Sequence, residues 1–272
     1  RAMKPSEMAP GSLRVTYSEA YKKQQSPAVS LVLDASGSML KRMPGNKKRR
    51  IEVARTSLHE LISNGLPDGV KFSYRAFGLK RDACETKAII RLGKLNRKKA
   101  IAAINKTPVA NLARTAIAAS LSAAASDLAA HSGPKVIVLV TDGEETCDGD
   151  VTKAIEDLRA GGLDIKVQIV GFAIDNEPLK QQFAAWAAMG NGEYFDAADS
   201  DTLTESLVLA VSNRYSVQPK DGGPLIRGRV GEALSLAPGD YQLLADHGPL
   251  DGTTVTIRSQ QLTDIALDQQ RR

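Results

Sequence analysis

Residues 28–34 read AVSLVLD, a mainly apolar run that ends on an aspartate. A short apolar run of this kind is typical of a strand that is buried on both faces of a sheet. Residues 135–141 read KVIVLVT, and Asp142 follows them directly. The two runs predict central strands of a parallel sheet, each with polar side chains at its carboxyl end.

Helical and extended segments alternate on both sides of these two runs. Ile51, Ala54 and Leu58 follow the first run at helical spacing, which predicts a helix. Further strands are predicted at 70–77, 88–92, 165–172 and 192–195, and further helices at 97–104, 115–130, 151–160, 178–189 and 201–212. This alternation predicts an α/β fold with a doubly wound, mostly parallel sheet flanked by helices.

The alternation stops near residue 213, and short strand-like segments separated by Pro-Gly, Asp-Gly and His-Gly turns follow. They predict a small antiparallel, β-sandwich-like domain, with strands at 215–218, 225–230, 241–245, 253–257 and 262–266. The expected organisation is an N-terminal arm or linker over 1–27, the main domain over 28–213, the β-domain over 214–268 and a tail over 269–272. Within the arm, residues 13–17 are compatible with a strand.

Composition excludes several classes of protein. The 272 residues are 42% hydrophobic and 25% charged, with a net charge of +5 from 36 basic and 31 acidic residues. So many acidic residues argue against a dedicated nucleic-acid binder, and no apolar run reaches the roughly 20 residues of a membrane span. The chain begins at Arg1 without a signal-peptide pattern, so we expect an excised piece that lacks its targeting segment.

Polar side chains gather at the carboxyl edge of the predicted sheet. Asp34, Ser36 and Ser38 follow the first central strand, Asp142 follows the other, and Thr115 lies at the start of an Ala-rich helix. Ligands of open parallel sheets bind at this edge, where the strand order reverses. Two carboxylates and three hydroxyls form an all-oxygen set that suits a hard cation, most simply Mg²⁺, with Mn²⁺ or Ca²⁺ as alternatives.

The charge of this ligand set indicates what the metal would bind. Three of the five ligands are neutral hydroxyls, so the direct ligands neutralise the cation incompletely. Mg²⁺ normally keeps several exchangeable waters. A carboxylate from a partner is the favoured replacement for one of them, because it supplies both an oxygen ligand and negative charge. We therefore expect a protein partner with an exposed Asp or Glu.

The spacing Asp34-x-Ser36-x-Ser38, then Thr115, then Asp142 resembles the metal-ion-dependent adhesion site of von Willebrand factor A domains. The resemblance spans about residues 28–212 and is closest to a bacterial, commonly extracytoplasmic subgroup. It implies six main strands with the third antiparallel at the edge. It also implies that the two serines and Thr115 bind the metal directly, and that both aspartates bind it directly or through water.

The sequence departs from that subgroup around the threonine and after the second aspartate. The Gly and Pro that usually surround the threonine are absent, and Thr107 before Pro108 is a rival for Thr115. Thr115 fits better because it precedes the helical pattern that begins at Ile117. Val151 occupies a position where the subgroup often has a further cysteine.

The surroundings of the site supply candidate partner contacts. We assign Lys41, Arg42, Gly143 and Glu144 to a partner-binding rim. The basic residues at 41–42 and 47–50 are typical of a solvated loop, and the alternative is that they steer an acidic partner toward the metal.

Two cysteines, Cys84 and Cys147, follow strands whose carboxyl ends meet at the metal-site edge. A disulfide between them is sterically plausible, and two unrelated thiols are the alternative. A disulfide would indicate a periplasmic or extracellular protein. Reduced cysteines would fit a cytoplasmic subunit that docks on an ATPase or a metal-inserting machine.

The sequence thus favours a metal-dependent protein-binding module rather than an enzyme. One alternative is a structural or assembly subunit with a vestigial metal site. The other is a metal-dependent phosphatase or hydrolase with Asp34 as nucleophile. That alternative is disfavoured because Ser36 occupies the position where an Asp-x-Asp motif would have its second acid. The identity of the partner and the oligomeric state stay open.

Overall fold

The computed structural model describes residues 8–18, 27–44, 47–162, 164–245 and 252–267. The strands are β1 (Gly11–Tyr17), β2 (Ala28–Asp34), β3 (Lys71–Phe77), β4 (Thr86–Lys94), β5 (Lys135–Thr141), β6 (Ile165–Phe172), β7 (Tyr194–Ala197), β8 (Arg214–Pro219), β9 (Ile226–Arg229), β10 (Ala233–Leu236), β11 (Gly239–Ala245), β12 (Thr253–Ile257) and β13 (Leu262–Leu267). The α-helices are α1 (Arg50–Glu60), α2 (Arg97–Lys106), α3 (Ile117–Leu128), α4 (Val151–Ala160), α5 (Glu177–Met189) and α6 (Ser200–Val211).

The chain divides into two compact units. One is Ser26–Val211, and the other combines Arg1–Gln25 with Ser212–Arg272. Among the described residues, no helix is both long and apolar enough to cross a lipid bilayer.

The larger unit is built on a six-stranded sheet in the order β4-β3-β2-β5-β6-β7. Neighbouring strands are parallel except at one edge, where β4 runs antiparallel to β3. In chain order β4 is the third strand of this unit, after β2 and β3. This confirms the expected mixed sheet whose third strand is antiparallel and lies at the edge. The strand order reverses between β2 and β5, so the carboxyl ends of these two strands flank the crevice where ligands of such sheets bind.

Helices cover both faces of this sheet, which explains why its central strands are mainly apolar on both faces. Val29, Leu31 and Leu33 of β2 pack on the side of α1, α2 and α6. Ala28 and Val32 point to the opposite side and pack with α3, α4 and α5. Successive side chains of a strand alternate between faces, so a strand covered on both faces shows no polar alternation. The buried sheet is therefore a rigid platform for the residues at its carboxyl edge.

The smaller unit has two sheets, in the orders β10-β1-β13 and β12-β11-β8-β9. Side chains of both sheets share one buried cluster, which includes Leu13 and Val15 of β1 and Val217 and Leu243 of the other sheet. Residues 11–17, in the expected arm, thus form a strand with buried side chains. The pairing of β1 with β13 is parallel, unlike the other pairings of this unit, because β1 comes from the opposite end of the chain and needs no hairpin.

Candidate functional site

Asp34, the last residue of β2, is fully buried, and hydrogen bonds hold both of its carboxylate oxygens. Oδ1 accepts a hydrogen bond from the backbone N–H of Ser36 at 2.7 Å. Oδ2 accepts one from the hydroxyl of Thr141 at 2.6 Å. Thr141 is the last residue of β5, so these contacts join the ends of the two central strands. The carboxylate is fixed at the reversal point of the sheet.

The hydroxyls of Ser36 and Ser38 extend this hydrogen-bond network from Asp34 to Asp142. The chain after Asp34 enters a 3₁₀ turn at Gly37–Leu40, which brings the hydroxyls of Ser36 and Ser38 to 2.9 Å from each other. Ser38 Oγ donates to Asp142 Oδ1 at 2.5 Å. Direct hydrogen bonds therefore link Asp34, Ser36 and Ser38 to Asp142, which is 104 residues after Ser38.

Thr115 lies two residues before α3 and is buried, at 5% exposure. Its backbone N–H donates to the hydroxyl of Thr146 at 2.7 Å, and its carbonyl accepts from the N–H of Thr146 at 3.0 Å. The carbonyl of Ala113 also accepts a hydrogen bond from the N–H of Gly37 at 3.3 Å. These contacts connect the Thr115 stretch to both loops that carry the other predicted ligands.

The rival threonine has a different environment. Thr107 is buried at the C-terminal end of α2, where its hydroxyl donates to the carbonyl of Ala103 at 2.9 Å. The same hydroxyl lies 2.7 Å from the phenolic oxygen of Tyr74. Because these two partners already occupy the hydroxyl of Thr107, the contacts favour Thr115 as the ligand.

The chemistry of the clustered side chains fits a hard divalent cation. Their donor atoms are carboxylate and hydroxyl oxygens, which suit Mg²⁺, Mn²⁺ or Ca²⁺ better than softer metals. Within the described ranges there is no group of three or more His, Cys, Asp or Glu that could hold a metal. The predicted set has only two carboxylates, so it would not form such a group. Asp34, Ser36, Ser38, Thr115 and Asp142 are the residues that could hold the cation.

A family model described as "von Willebrand factor type A domain" matches residues 29–208. The chain belongs to this family. It is 32% identical over 200 residues to the uncharacterized protein YwmD of Bacillus subtilis (strain 168), an alignment that covers 69% of this chain and 86% of the relative.

Solved structures with the same fold include a von Willebrand factor type A protein from Catenulispora acidiphila. It has a TM-score of 0.55 and 18% identity, and the match covers 96% of this chain and 76% of that one. Proximal thread matrix protein 1 of the mussel byssus, with a zinc-occupied MIDAS motif, has a TM-score of 0.51 and 18% identity, with coverage of 69% and 46%. At these identities the likeness shows the fold alone.

Arg50 contacts the predicted ligand Asp142, although our sequence analysis did not single it out. Its Nη1 lies 2.8 Å from Asp142 Oδ2, and the two side chains are 12% and 0% exposed. Arg50 is the first residue of α1, where the helix dipole disfavours a positive charge. A basic residue at the N-terminus of a helix indicates that an acidic side chain of the same chain lies nearby. The sequence alone did not show that this side chain is Asp142.

Gly78 is a second site component that sequence analysis missed. It follows β3 with a φ of +74°, and a Cβ added there would lie 2.4 Å from the backbone nitrogen of Ser36. Only glycine allows this conformation and this close approach at low cost. Gly78 thus permits the backbone after β3 to pack directly against the backbone of the loop that carries the two serines.

An open groove of about 670 Å³ adjoins the site. The groove is lined by Asp142, Lys41 and Arg50, and by residues 173–179 before and at the start of α5. Lys41, Arg42 and Glu144 of the expected rim are exposed, and Gly143 is half-buried. Arg42 Nη1 donates to the carbonyl of Lys47 at 2.8 Å. The groove therefore presents charged residues beside Asp142, whose side chain is itself buried.

Cys84 and Cys147 form a disulfide, with their Cα atoms 5.6 Å apart. Cys84 lies in the loop between β3 and β4, and Cys147 lies in the loop that begins with Asp142. This confirms the expected pairing of the two cysteines. The disulfide fixes the loop that carries one predicted ligand to a neighbouring loop of the same edge.

The pKa of Asp34 predicts how the affinity for the predicted cation would depend on pH. Burial, and secondly the charge of Asp142, raise this pKa from 3.8 to about 7, although hydrogen bonds from Ser36 and Thr141 lower it. Metal binding needs the deprotonated carboxylate. We expect the affinity for Mn²⁺ to rise about tenfold per pH unit up to pH 7 and then to level off. Calorimetric titrations at pH 5.5, 6.5 and 8 measure this.

The stability of the metal-free protein is expected to change in the opposite direction. Because the pKa of Asp34 is higher in the folded than in the unfolded chain, folding favours the protonated form. The contribution of Asp34 to the free energy of unfolding is fully present below about pH 4 and is lost as the pH rises to about 7.

The prediction on Mn²⁺ affinity has its own contradicting outcome. An affinity for Mn²⁺ that stayed constant from pH 5.5 to pH 8 would contradict the proposed role of Asp34 as a metal ligand.

Proposed function

We propose that the unit Ser26–Val211 is a metal-dependent protein-binding module. Its metal-ion-dependent adhesion site would consist of Asp34, Ser36, Ser38, Thr115 and Asp142, and the bound cation would capture an acidic residue of a partner. The observation that carries this proposal is the chain of hydrogen bonds that joins Asp34 and the two serines to Asp142 at the reversal point of the sheet.

Mg²⁺ is the proposed cation, because all the donors are oxygens and three of them are neutral. When bound, the cation would supply a Lewis-acidic position for a carboxylate oxygen. The mussel protein with a zinc-occupied MIDAS motif supports the view that this fold can hold a divalent cation at such a site. The protein's own residues fix the two carboxylates, the two serine hydroxyls and the backbone of Thr115 before the metal binds, which lowers the cost of organising the site.

The burial and the hydrogen bonds of Asp34 favour binding of a partner over catalysis. Hydrogen bonds occupy both of its oxygens and the side chain is fully buried, so it is poorly placed as a nucleophile for phosphoryl transfer. Arg50 and Lys41 line the groove beside Asp142. Their positive charges favour the approach of an acidic segment.

An extracytoplasmic location is part of this proposal. Disulfides form and persist in oxidising compartments and are rare in the cytosol. The disulfide between Cys84 and Cys147 is therefore the feature that supports a periplasmic or extracellular site of action.

The proposed function is tested by capture on the immobilised protein from an envelope extract of its source organism, with Mg²⁺ or with EDTA. We expect Mg²⁺-dependent capture of a protein partner, and the replacements Lys41→Glu and Arg42→Glu should slow its association about tenfold at low salt, because steering charges act mainly on the association rate.

The matched control for this charge reversal is Lys98→Glu with Lys99→Glu, which makes the same change at exposed positions of α2. It should leave the association rate close to that of the wild type. Capture that is equal in Mg²⁺ and in EDTA would contradict the metal-dependent mechanism. An unchanged association rate in the Lys41 and Arg42 variant would contradict only the steering role.

A further inference from the structure

Thr115 differs from the other proposed ligands in how it is held. Asp34, Asp142 and the serines follow directly from the ends of buried strands, whereas Thr115 precedes a helix with no cap of its own. The residue before α3 is Ala116, and no side chain of that position caps the helix. The stretch around Thr115 therefore depends on contacts from elsewhere in the chain.

Those contacts come from the segment Glu145–Thr146–Cys147, three to five residues after Asp142. The hydroxyl and the N–H of Thr146 bind the backbone of Thr115 from both sides, at 2.7 and 3.0 Å. Glu145 Oε2 accepts a hydrogen bond from the N–H of Ala118 at 2.9 Å. A carboxylate at the N-terminus of a helix both satisfies a backbone donor and interacts favourably with the helix dipole, so Glu145 replaces the missing cap of α3.

The segment Glu145–Thr146–Cys147 has an internal hydrogen bond and is joined to a second loop by the disulfide. Glu145 Oε1 accepts from the N–H of Cys147 at 2.6 Å, and Cys147 forms the disulfide with Cys84. The loop that carries Cys84 also touches the Thr115 stretch, because the N–H of Asp82 donates to the carbonyl of Leu112 at 3.1 Å. The disulfide thus joins two loops that hold the Thr115 stretch from both ends.

We propose that Thr146 and Glu145 are positioning residues for Thr115, and that the Cys84–Cys147 disulfide holds them in place, so that the metal affinity of the site depends on this disulfide. The inference rests on the proposed function, because it assigns a role relative to the proposed metal. It names residues and a covalent bond that do not contact the cation but fix one of its ligands.

The test is a calorimetric titration of the full chain with Mn²⁺, comparing the wild type with Thr146→Val and Thr146→Ser. Valine keeps the shape of threonine and removes the oxygen that accepts from Thr115, whereas serine keeps that oxygen. A single hydrogen bond contributes about 1 kcal/mol, so we expect a Kd about fivefold weaker for Thr146→Val and within about twofold of the wild type for Thr146→Ser. The replacement Glu145→Ala removes two accepted bonds and should weaken Mn²⁺ binding about tenfold or more.

The disulfide is tested with the double variant Cys84→Ser and Cys147→Ser, for which we expect Mn²⁺ binding at least about tenfold weaker than in the wild type. Thermal unfolding in EDTA is recorded for every variant. A merely structural role would lower the melting temperature and leave the Kd of the folded protein unchanged. Should the cysteine variant fail to fold, the two Thr146 variants still decide the proposal.

The outcomes separate this inference from the proposed function. Saturable Mn²⁺ binding in the wild type, with equal Kd values for the wild type and Thr146→Val, would overturn the positioning role and leave the metal site standing. Equal weakening by valine and by serine would also overturn it, because the effect would not depend on the hydroxyl. No saturable binding in the wild type would overturn the proposed function, and this inference with it.

Discussion

Replacement of Ser36 and Asp142 together by alanine is expected to abolish saturable binding of Mg²⁺ and Mn²⁺. The change removes one hydroxyl and one of only two carboxylates from the proposed ligands. We expect the affinity to fall more than about 100-fold, which corresponds to about 3 kcal/mol. Titration calorimetry on the wild type and the double variant measures the difference.

The removal of Asp142 also leaves Arg50 without its ion-pair partner. Because Arg50 is only 12% exposed, this alone should destabilise the fold by a few kcal/mol. The single variant Ser36→Ala keeps the pair of Arg50 and Asp142 intact, and we expect it to weaken metal binding about tenfold with little change in melting temperature. The two variants together separate loss of a ligand from loss of stability.

A matched control makes the same chemical change away from the site. Ser126 on α3 and Asp157 on α4 lie in the same unit, and their side chains bind the carbonyl of Ser122 and the ammonium group of Lys153. The replacements Ser126→Ala and Asp157→Ala should leave the affinity for Mn²⁺ unchanged. If the Ser36 and Asp142 variant still bound Mn²⁺ with the wild-type affinity, the assignment of the metal site would be wrong.

Removal of the disulfide by Cys84→Ser with Cys147→Ser is expected to lower the free energy of unfolding by about 4 kcal/mol. The two cysteines are 63 residues apart, and a cross-link that closes a loop of this length restricts the unfolded chain by about that amount. In a unit of this size the melting temperature should fall by about 10 °C. Urea and thermal denaturation in the presence of EDTA measure the loss without a contribution from bound metal.

Chemical reduction of the wild type provides the control for this prediction. A reductant that opens the disulfide should produce the same loss of stability as the serine variant, because both leave the two loops unlinked. A change below about 1 kcal/mol in the variant would show that other contacts already restrain these loops. That result would also remove the physical basis for a dependence of metal affinity on the disulfide.

The parts of this structure that follow periodic patterns could be predicted from the sequence. The β2 and β5 runs are mainly apolar because helices cover both faces of the sheet. The positions of Asp34 and Asp142 at the carboxyl ends of these runs predicted that both lie at one edge of the sheet. The von Willebrand factor A resemblance supplied the antiparallel edge strand β4. The disulfide was predictable because both cysteines follow strands that end on this edge.

The contacts that could not be predicted are single interactions between loops far apart in sequence. Arg50 lies 92 residues from Asp142 and Thr146 lies 31 residues from Thr115, and neither pair belongs to a repeating pattern. The short strand β10 was also absent from our prediction, since its four residues contain only one fully buried side chain. The pairing of β1 with strands from the other end of the chain likewise has no local signal.

The pairing of β1 with β13 has a mechanical consequence. These strands are parallel, so tension applied at Gly11 and at Leu267 pulls them in opposite directions along their length. Such shear loads all the hydrogen bonds of the pair together, whereas peeling would break them one at a time. The polypeptide leaves β1, passes through Ser26–Val211 and returns to β8. The von Willebrand factor A unit therefore carries no tension until β1 separates from both of its neighbours, β13 and β10.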